Sequence, residues 1–197
     1  MLKWAPTIKT QFTIFEFTKS LIDVWLKTYN VIPAKEQLGV IIAQWQLETG
    51  SGKHCYNYNI GNVKAVDKPN EIVEYCVLNN VWEIINGKRI ILSPNDPGSW
   101  FRSFPTLADG VAHHFNFLKN NRYKHAWTAV ESGNPAAFAH LLKIAGYYTA
   151  SEADYIKLMN SFFNSYMKSN DYENAVSNNP KVSVWTNIGN MFNKMFT

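Results

Sequence analysis

Cysteine is scarce in this 197-residue chain: there are two, Cys55 and Cys76, and their spacing matches no metal or redox motif. Free thiols are the expected state, and a single disulfide between them stays open for an oxidising compartment. Histidines such as His113, His114, His125 and His140 are never spaced as in His-Glu-x-x-His, so neither a metal nor any other cofactor is expected. The formal net charge is +4, with Lys and Arg scattered along the chain. Without a basic stripe or a base-stacking motif, nucleic acid is excluded as a partner, while weak attraction to an acidic polymer is retained. No apolar run is long enough for a membrane-spanning helix. The stretch Met1–Thr7 lacks the apolar core and small-residue cleavage site of a signal peptide.

What is present is a dense apolar and aromatic content, 46% hydrophobic and 15% aromatic. That composition and length suit one well-packed catalytic domain and are too small for two enzyme domains. Seven Trp and ten Tyr exceed the needs of a core. About two thirds of the aromatics should be buried, leaving others whose faces can stack on pyranose rings.

The stretch Gln37–Gly50 organises the rest. Leu38, Ile41, Ile42 and Trp45 fall at helical three- and four-residue steps, and Glu48 continues their stripe. Thr49-Gly50 reads as the C-terminal stop of this helix. Partial desolvation beside Trp45, together with the negative end of the helix dipole, is expected to favour the protonated carboxyl, the form a general acid needs. A polar loop, Ser51–Ala65, follows and is rich in Gly, Asn and Tyr.

Further elements follow from pattern. Thr13-x-x-Glu16 is a capping box opening a helix to about Thr28, with Phe17, Leu21, Val24 and Trp25 as its buried side; Pro33 then starts the Glu48 helix. Alternation over Glu71–Val77, Val81–Ile85 and Lys88–Leu92, with Asn86-Gly87 between the last two, predicts a small antiparallel hairpin region. Helices return with caps at Thr106 or Asp109, at Asn121, at Asn134-Pro135 and at Ser151, the last running through Tyr166. Residues 169–181 turn to Asn, Ser and Pro, the composition of a linker. In 182–197, Val184, Trp185, Ile188, Met191, Phe192, Met195 and Phe196 recur at helical spacing as an amphipathic tail, suited to folding back, to a partner protein or to a membrane surface. The expected organisation is therefore a domain over 1–168, a linker and a tail.

Three motifs in order, Ala43…Leu47-Glu48-Thr49-Gly50 with the loop Asn59-Ile60…Val63-Lys64-Ala65, then Phe101-Arg102-x-Phe104, then Ala145-Gly146-Tyr147-x-Thr149, resemble the lysozyme-superfamily peptidoglycan glucosaminidases of glycoside hydrolase family seventy-three. The resemblance covers roughly Pro33 to Tyr166. Two places depart from the pattern: Gly50-Ser51-Gly52 stands for Gly-Trp-Gly, and Gly61-Asn62 for Phe-Gly. The resemblance implies a mainly α (α+β), lysozyme-like helical domain with a small antiparallel β-hairpin lobe flanking the cleft. It also implies endo-acting cleavage of peptidoglycan glycan strands after N-acetylglucosamine. Glu48 would be the general acid. Glu83 stands where the family carries its second carboxylate, ahead of Glu74 and Asp96, and would assist a water or the developing cation. Tyr147, Asn59, Tyr56, Arg102 and Trp100 would contact substrate or position groups around it. Lytic transglycosylase chemistry and a non-catalytic wall-binding or virion structural role are the rival expectations. A cell-wall enzyme without an export signal would be either a mature fragment or a phage or virion-borne lysin, and a monomer is expected.

Overall fold

A computed structural model describes residues 1–85 and 88–182. The Asn86-Gly87 turn and the tail with Trp185 and Met191 lie outside the described residues. The chain divides into two compact units. One comprises Met1–Gln11 and Gln44–Asn116; the other takes Phe12–Ala43 and the chain from Phe117 on.

The second unit is helical. Its first helix, α1 (Ile14–Tyr29), opens with the complete capping box: the Glu16 amide donates to the Thr13 hydroxyl at 3.1 Å, and the Thr13 amide donates to the Glu16 carboxylate at 2.7 Å. Such reciprocal satisfaction of free amide donors is worth about 1 kcal/mol. Phe17, Leu21, Val24 and Trp25 are buried, as their spacing predicts. The next helix, α2 (Lys35–Thr49), exceeds its predicted stripe: every residue from Leu38 to Trp45 is buried, so it is a core helix on all sides. Gly39 permits this, because a Cβ there would meet the Phe163 ring at 2.9 Å. Downstream lie α4 (Lys124–Glu131), α5 (Pro135–Ile144), capped by Asn134 with proline at its first position, and α6 (Glu152–Lys168), capped by Ser151.

The segment 169–181, expected as a linker, carries a further helix, α7 (Asp171–Ser177), with Ala175 buried. Lys35 reaches Glu173 at 2.9 Å and the Ser169 carbonyl at 2.6 Å, while the Tyr172 hydroxyl donates to the Pro33 carbonyl at 2.7 Å. These partners are more than a hundred residues away in sequence, which is why Asn- and Ser-rich composition hides them. No described helix is long and apolar enough to cross a membrane.

The first unit carries the strands. Three of them, β1 (Leu2–Trp4), β2 (Val73–Val77) and β5 (Trp100–Arg102), form a sheet in the order β1-β2-β5, with β1 parallel and β5 antiparallel to β2. The expected hairpin is present as β3 (Trp82–Ile85) and β4 (Lys88–Ile91), with Glu83 opposite Ile90. Two further elements belong to this unit: the last residues of α2, and the beginning of α3 (Leu107–Lys119), where the Thr106 hydroxyl accepts from the Asp109 amide. Strand β1 is too short to announce itself in sequence; its pairing rests on neighbours such as Val73, opposite Leu2. Cys55 and Cys76 are both free and buried.

Candidate active site

Glu48 lies in the last turn of α2, half-buried, between the sealed Trp45 and the exposed Gly50. The chain leaves the helix sharply. Gly50 takes a left-handed φ of 58°, and the Ser51 amide returns to the Gln46 carbonyl at 2.8 Å, closing the helix end. The buried Thr49 hydroxyl donates to the Trp45 carbonyl at 2.6 Å and accepts from the Gly52 amide at 2.9 Å. Asn62 donates its side-chain amide to the backbone carbonyl of Glu48 itself at 2.6 Å. Such an orphan C-terminal carbonyl needs a partner, and here the partner comes from the loop. The acid's backbone is thereby fixed from both flanks.

The loop is rigid for identifiable reasons. Asn57, Tyr58 and Asn62 all adopt left-handed φ values of 48–52°, unusual for side-chain-bearing residues, Tyr58 especially. Asn59 is only 2% exposed. Its amide nitrogen donates to the carbonyls of Val63 and Arg102, and its oxygen accepts from the Val63 amide, all within 3.0 Å. The expected sugar contact through Asn59 is therefore replaced by a loop-shaping role, because those bonds turn its side chain inward. Gly110 of α3 lets this loop approach: a Cβ there would lie 2.1 Å from the Tyr58 carbonyl oxygen.

Glu83 sits differently. Its side chain is 48% exposed on β3 and pairs with Lys64 at 3.2 Å. Across the hairpin Glu83 stands opposite Ile90, so its ionic partner comes from the loop and not from β4. Lys64 is held further by the Gly98 carbonyl, and its ammonium lies 4.1 Å from the Phe101 ring centroid. Arg102, expected to orient a carboxylate in the site, is buried and pairs with Glu71 at 2.7 Å, whose carboxyl it holds below the usual range. Trp100 donates its indole N–H to the Pro94 carbonyl at 3.0 Å, and its ring lies against Tyr75. Tyr147 belongs to the helical unit, where it meets Tyr123 edge-on with ring centroids 5.5 Å apart. Of the residues singled out from sequence, Glu48, Glu83, Tyr56, Asn59, Arg102 and Trp100 thus share one unit.

Two histidines of α3 are held neutral. Burial pushes His113 down to about 4, with Arg102 and Lys68 adding repulsion. The fully enclosed His114, 2.9 Å from the Gln44 side chain, is pushed down to about 3 by burial. No cluster of His, Cys, Asp or Glu among the described residues has the form of a metal site.

Beside the Glu48 loop lies an open groove of about 570 Å³. His54, Tyr56 and Phe101 contribute to it from the loop and β5, together with Asn62, whose side chain holds the Glu48 carbonyl. Sequence reasoning missed Asn62, Thr7 and the pair Asn79-Asn80, which also line it. Asn62 and Asn80 had a faint signal, since asparagine is, after glycine, the residue most at home in a left-handed turn. Thr7 had none.

Residues 27–168 match the family model described as mannosyl-glycoprotein endo-β-N-acetylglucosaminidase. The protein belongs to this glucosaminidase family and is a glycoside hydrolase. Among solved structures, it is similar to a peptidoglycan hydrolase mutant from Sphingomonas sp. A1, at 20% identity and a TM-score of 0.50, over 84% of this chain and 99% of that one. It is also similar to a C-terminally truncated glycoside hydrolase domain of Salmonella typhimurium FlgJ, at 19% identity and a TM-score of 0.48, over 78% and 97% of the two chains. The first of these likenesses agrees with the lysozyme-like, mainly helical fold expected above. Comparison with curated protein sequences gives no match.

Proposed function

We propose that the protein cuts the β-1,4-linked glycan of bacterial peptidoglycan after N-acetylglucosamine, with Glu48 as the general acid. The observation that carries this is the seat of Glu48: a half-buried carboxylic acid at the end of a core helix, its backbone fixed by Asn62 and its loop fixed by Asn59. Glu48 gives its proton to the glycosidic oxygen as the bond from that oxygen to the anomeric carbon breaks. Positive charge then develops on the sugar ring, and Glu83 stabilises it or takes a proton from the incoming water. Tyr56, Trp100 and Tyr147 are carried over as sugar contacts on the family resemblance. The metal-free course suits this pair of carboxylates. A phage lysin acting as a monomer on the host wall is the biological setting we infer.

Wild-type protein should clear a suspension of purified walls and release reducing N-acetylglucosamine ends, while Glu48→Gln should not. One observation favours a second reading. Because Glu83 is half exposed and already paired with Lys64, a single-acid mechanism in which muramic acid's own hydroxyl attacks is the alternative. Anhydromuramic ends in the product mixture would establish that transglycosylase course. Wall clearance that persists in Glu48→Gln would remove Glu48 from the chemistry altogether.

A further inference from the structure

A single loop turn grips the end of α2 at two points. Gln44 and Glu48 lie four residues apart on that helix, so they share one of its faces. At the first point the His114 ring stands with Nε2 2.9 Å from the Gln44 side-chain oxygen. An amide oxygen only accepts, so this ring nitrogen carries the proton. Gly61 is pressed against the same ring: a Cβ there would lie 2.5 Å from His114 Cε1. At the second point Asn62, the next residue along the loop, donates its side-chain amide to the Glu48 carbonyl at 2.6 Å. The turn thus meets α2 through a packed ring at Gln44 and through a hydrogen bond at Glu48.

This turn has little freedom to move. His114 and Gln44 are both buried behind it. Within the turn, the Asn62 amide donates to the Asn59 carbonyl at 3.3 Å, and the Val63 amide donates to the Asn59 side chain at 2.9 Å. Asn62 itself takes a left-handed φ of 48°, a conformation open to glycine and to a few polar residues. Glycine would serve that backbone as well, yet it would leave the Glu48 carbonyl without its donor. What asparagine adds at this position is therefore the side-chain amide. The carbonyl it reaches belongs to the negative end of the α2 dipole, and a donor placed on it offsets part of the negative potential at the residue that bears the carboxyl.

We propose that Asn62 is a positioning residue for the hydrolysis: acting through the Glu48 carbonyl, it holds the acid's backbone against the loop and tempers the helix-end potential under which the carboxyl exchanges its proton. The proposal rests on the reading of Glu48 as the general acid. Asn62→Gly isolates the effect, since it keeps the left-handed backbone and removes the amide. Asn62→Asp keeps the shape and the left-handed tolerance, and replaces the donor with an acceptor that repels the carbonyl. Initial rates of soluble-product release from dye-labelled walls, taken across wall concentration and pH, read the outcome. In Asn62→Gly, kcat should fall about ten- to a hundredfold, the scale of a slightly misplaced group, with KM changed less than about twofold. The alkaline limb of the rate profile should move upward, because a helix end stripped of its donor favours the protonated carboxyl. Asn62→Asp should lose more rate and move the limb further. Asn62 also lines the groove, so a role as a ligand contact alone would raise KM and leave kcat intact. A role in stability alone would lower the urea midpoint and leave both kcat and the limb where they were. Either result overturns the proposal. Wall clearance that persists in Glu48→Gln defeats the acid reading and this proposal with it, whereas an inert Glu48→Gln beside a fully active Asn62→Gly defeats this proposal alone.

Discussion

The two carboxylates proposed for the reaction are seated in opposite ways. Glu48 ends a helix whose residues from Leu38 to Trp45 are all buried, and its own carbonyl is held by Asn62 at 2.6 Å. Glu83 rides on a four-residue strand, 48% exposed, and is tied down by an ion pair to Lys64. A helix end clamped by loop hydrogen bonds leaves little freedom for the acid's backbone, whereas a surface ion pair contributes roughly 0–1 kcal/mol and yields to salt. The difference teaches that one carboxylate is positioned by the fold and the other by a tether.

That contrast can be broken by four measurements. Glu48→Gln should lower the rate of wall hydrolysis by about 100- to 10,000-fold, the usual range for losing a general acid, measured as release of reducing ends. Glu83→Gln should cost less, on the order of tenfold, and the wild-type rate should fall with added salt as the tether weakens. Equal losses for the two variants would erase the distinction. Gly110→Ala strikes the loop without touching either acid. Pushing a methyl to 2.1 Å from the Tyr58 carbonyl oxygen should cost about 1–3 kcal/mol, read as a lower unfolding midpoint in urea, and should impair Glu48 more than Glu83 by distorting the adjacent loop.

The smallest effect is electrostatic. His113 and His114 titrate near 4 and near 3 in the folded protein, below their ordinary 6.5, so the unfolded chain takes up protons first as pH falls. Stability should be fully present above about 6.5, decline as pH drops toward 4, and level off for these groups only below about 3. Glu71 also loses its stabilising pair on acidification, but only below its ordinary 4.5, so the decline between 6.5 and 4.5 separates the histidines from that carboxylate. Thermal midpoints should fall steadily across that interval, and His113→Gln should flatten part of the slope.

Much of the fold was legible because its signals are local. Thr13 and Glu16 announce α1 within four residues, Asn134-Pro135 and Ser151 announce α5 and α6, and the Leu38-to-Trp45 spacing announces α2. The place of Glu48, the acid proposed here, at the end of α2 was legible for the same reason. What sequence reasoning assigned differently depends on partners distant along the chain. Asn59 looked like a polar loop residue available to sugar, yet Arg102, forty-three residues later, claims its amide. Arg102 looked available as well, and Glu71 claims it. Composition marked 169–181 as a linker because nothing local tells that Pro33 and Lys35 will bond to that segment. Each misplacement concerns a polar side chain, whose role is set by whichever group lies across from it after folding.

The N-terminal strand carries a consequence for how the protein is made. Lys3 bonds Glu74, seventy-one positions away, and Met1 bonds Glu71 across a gap of seventy. A chain emerging from the ribosome exposes its first strand well before that strand's partner exists, while α1 can coil from neighbours alone. The helix is thus available early, and the lobe that holds both proposed carboxylates must await closure of a long loop, a slower step. During that interval the helix end that carries Glu48 has been synthesised without its surroundings, and the sheet-borne groove forms only once the chain through Phe101 has emerged.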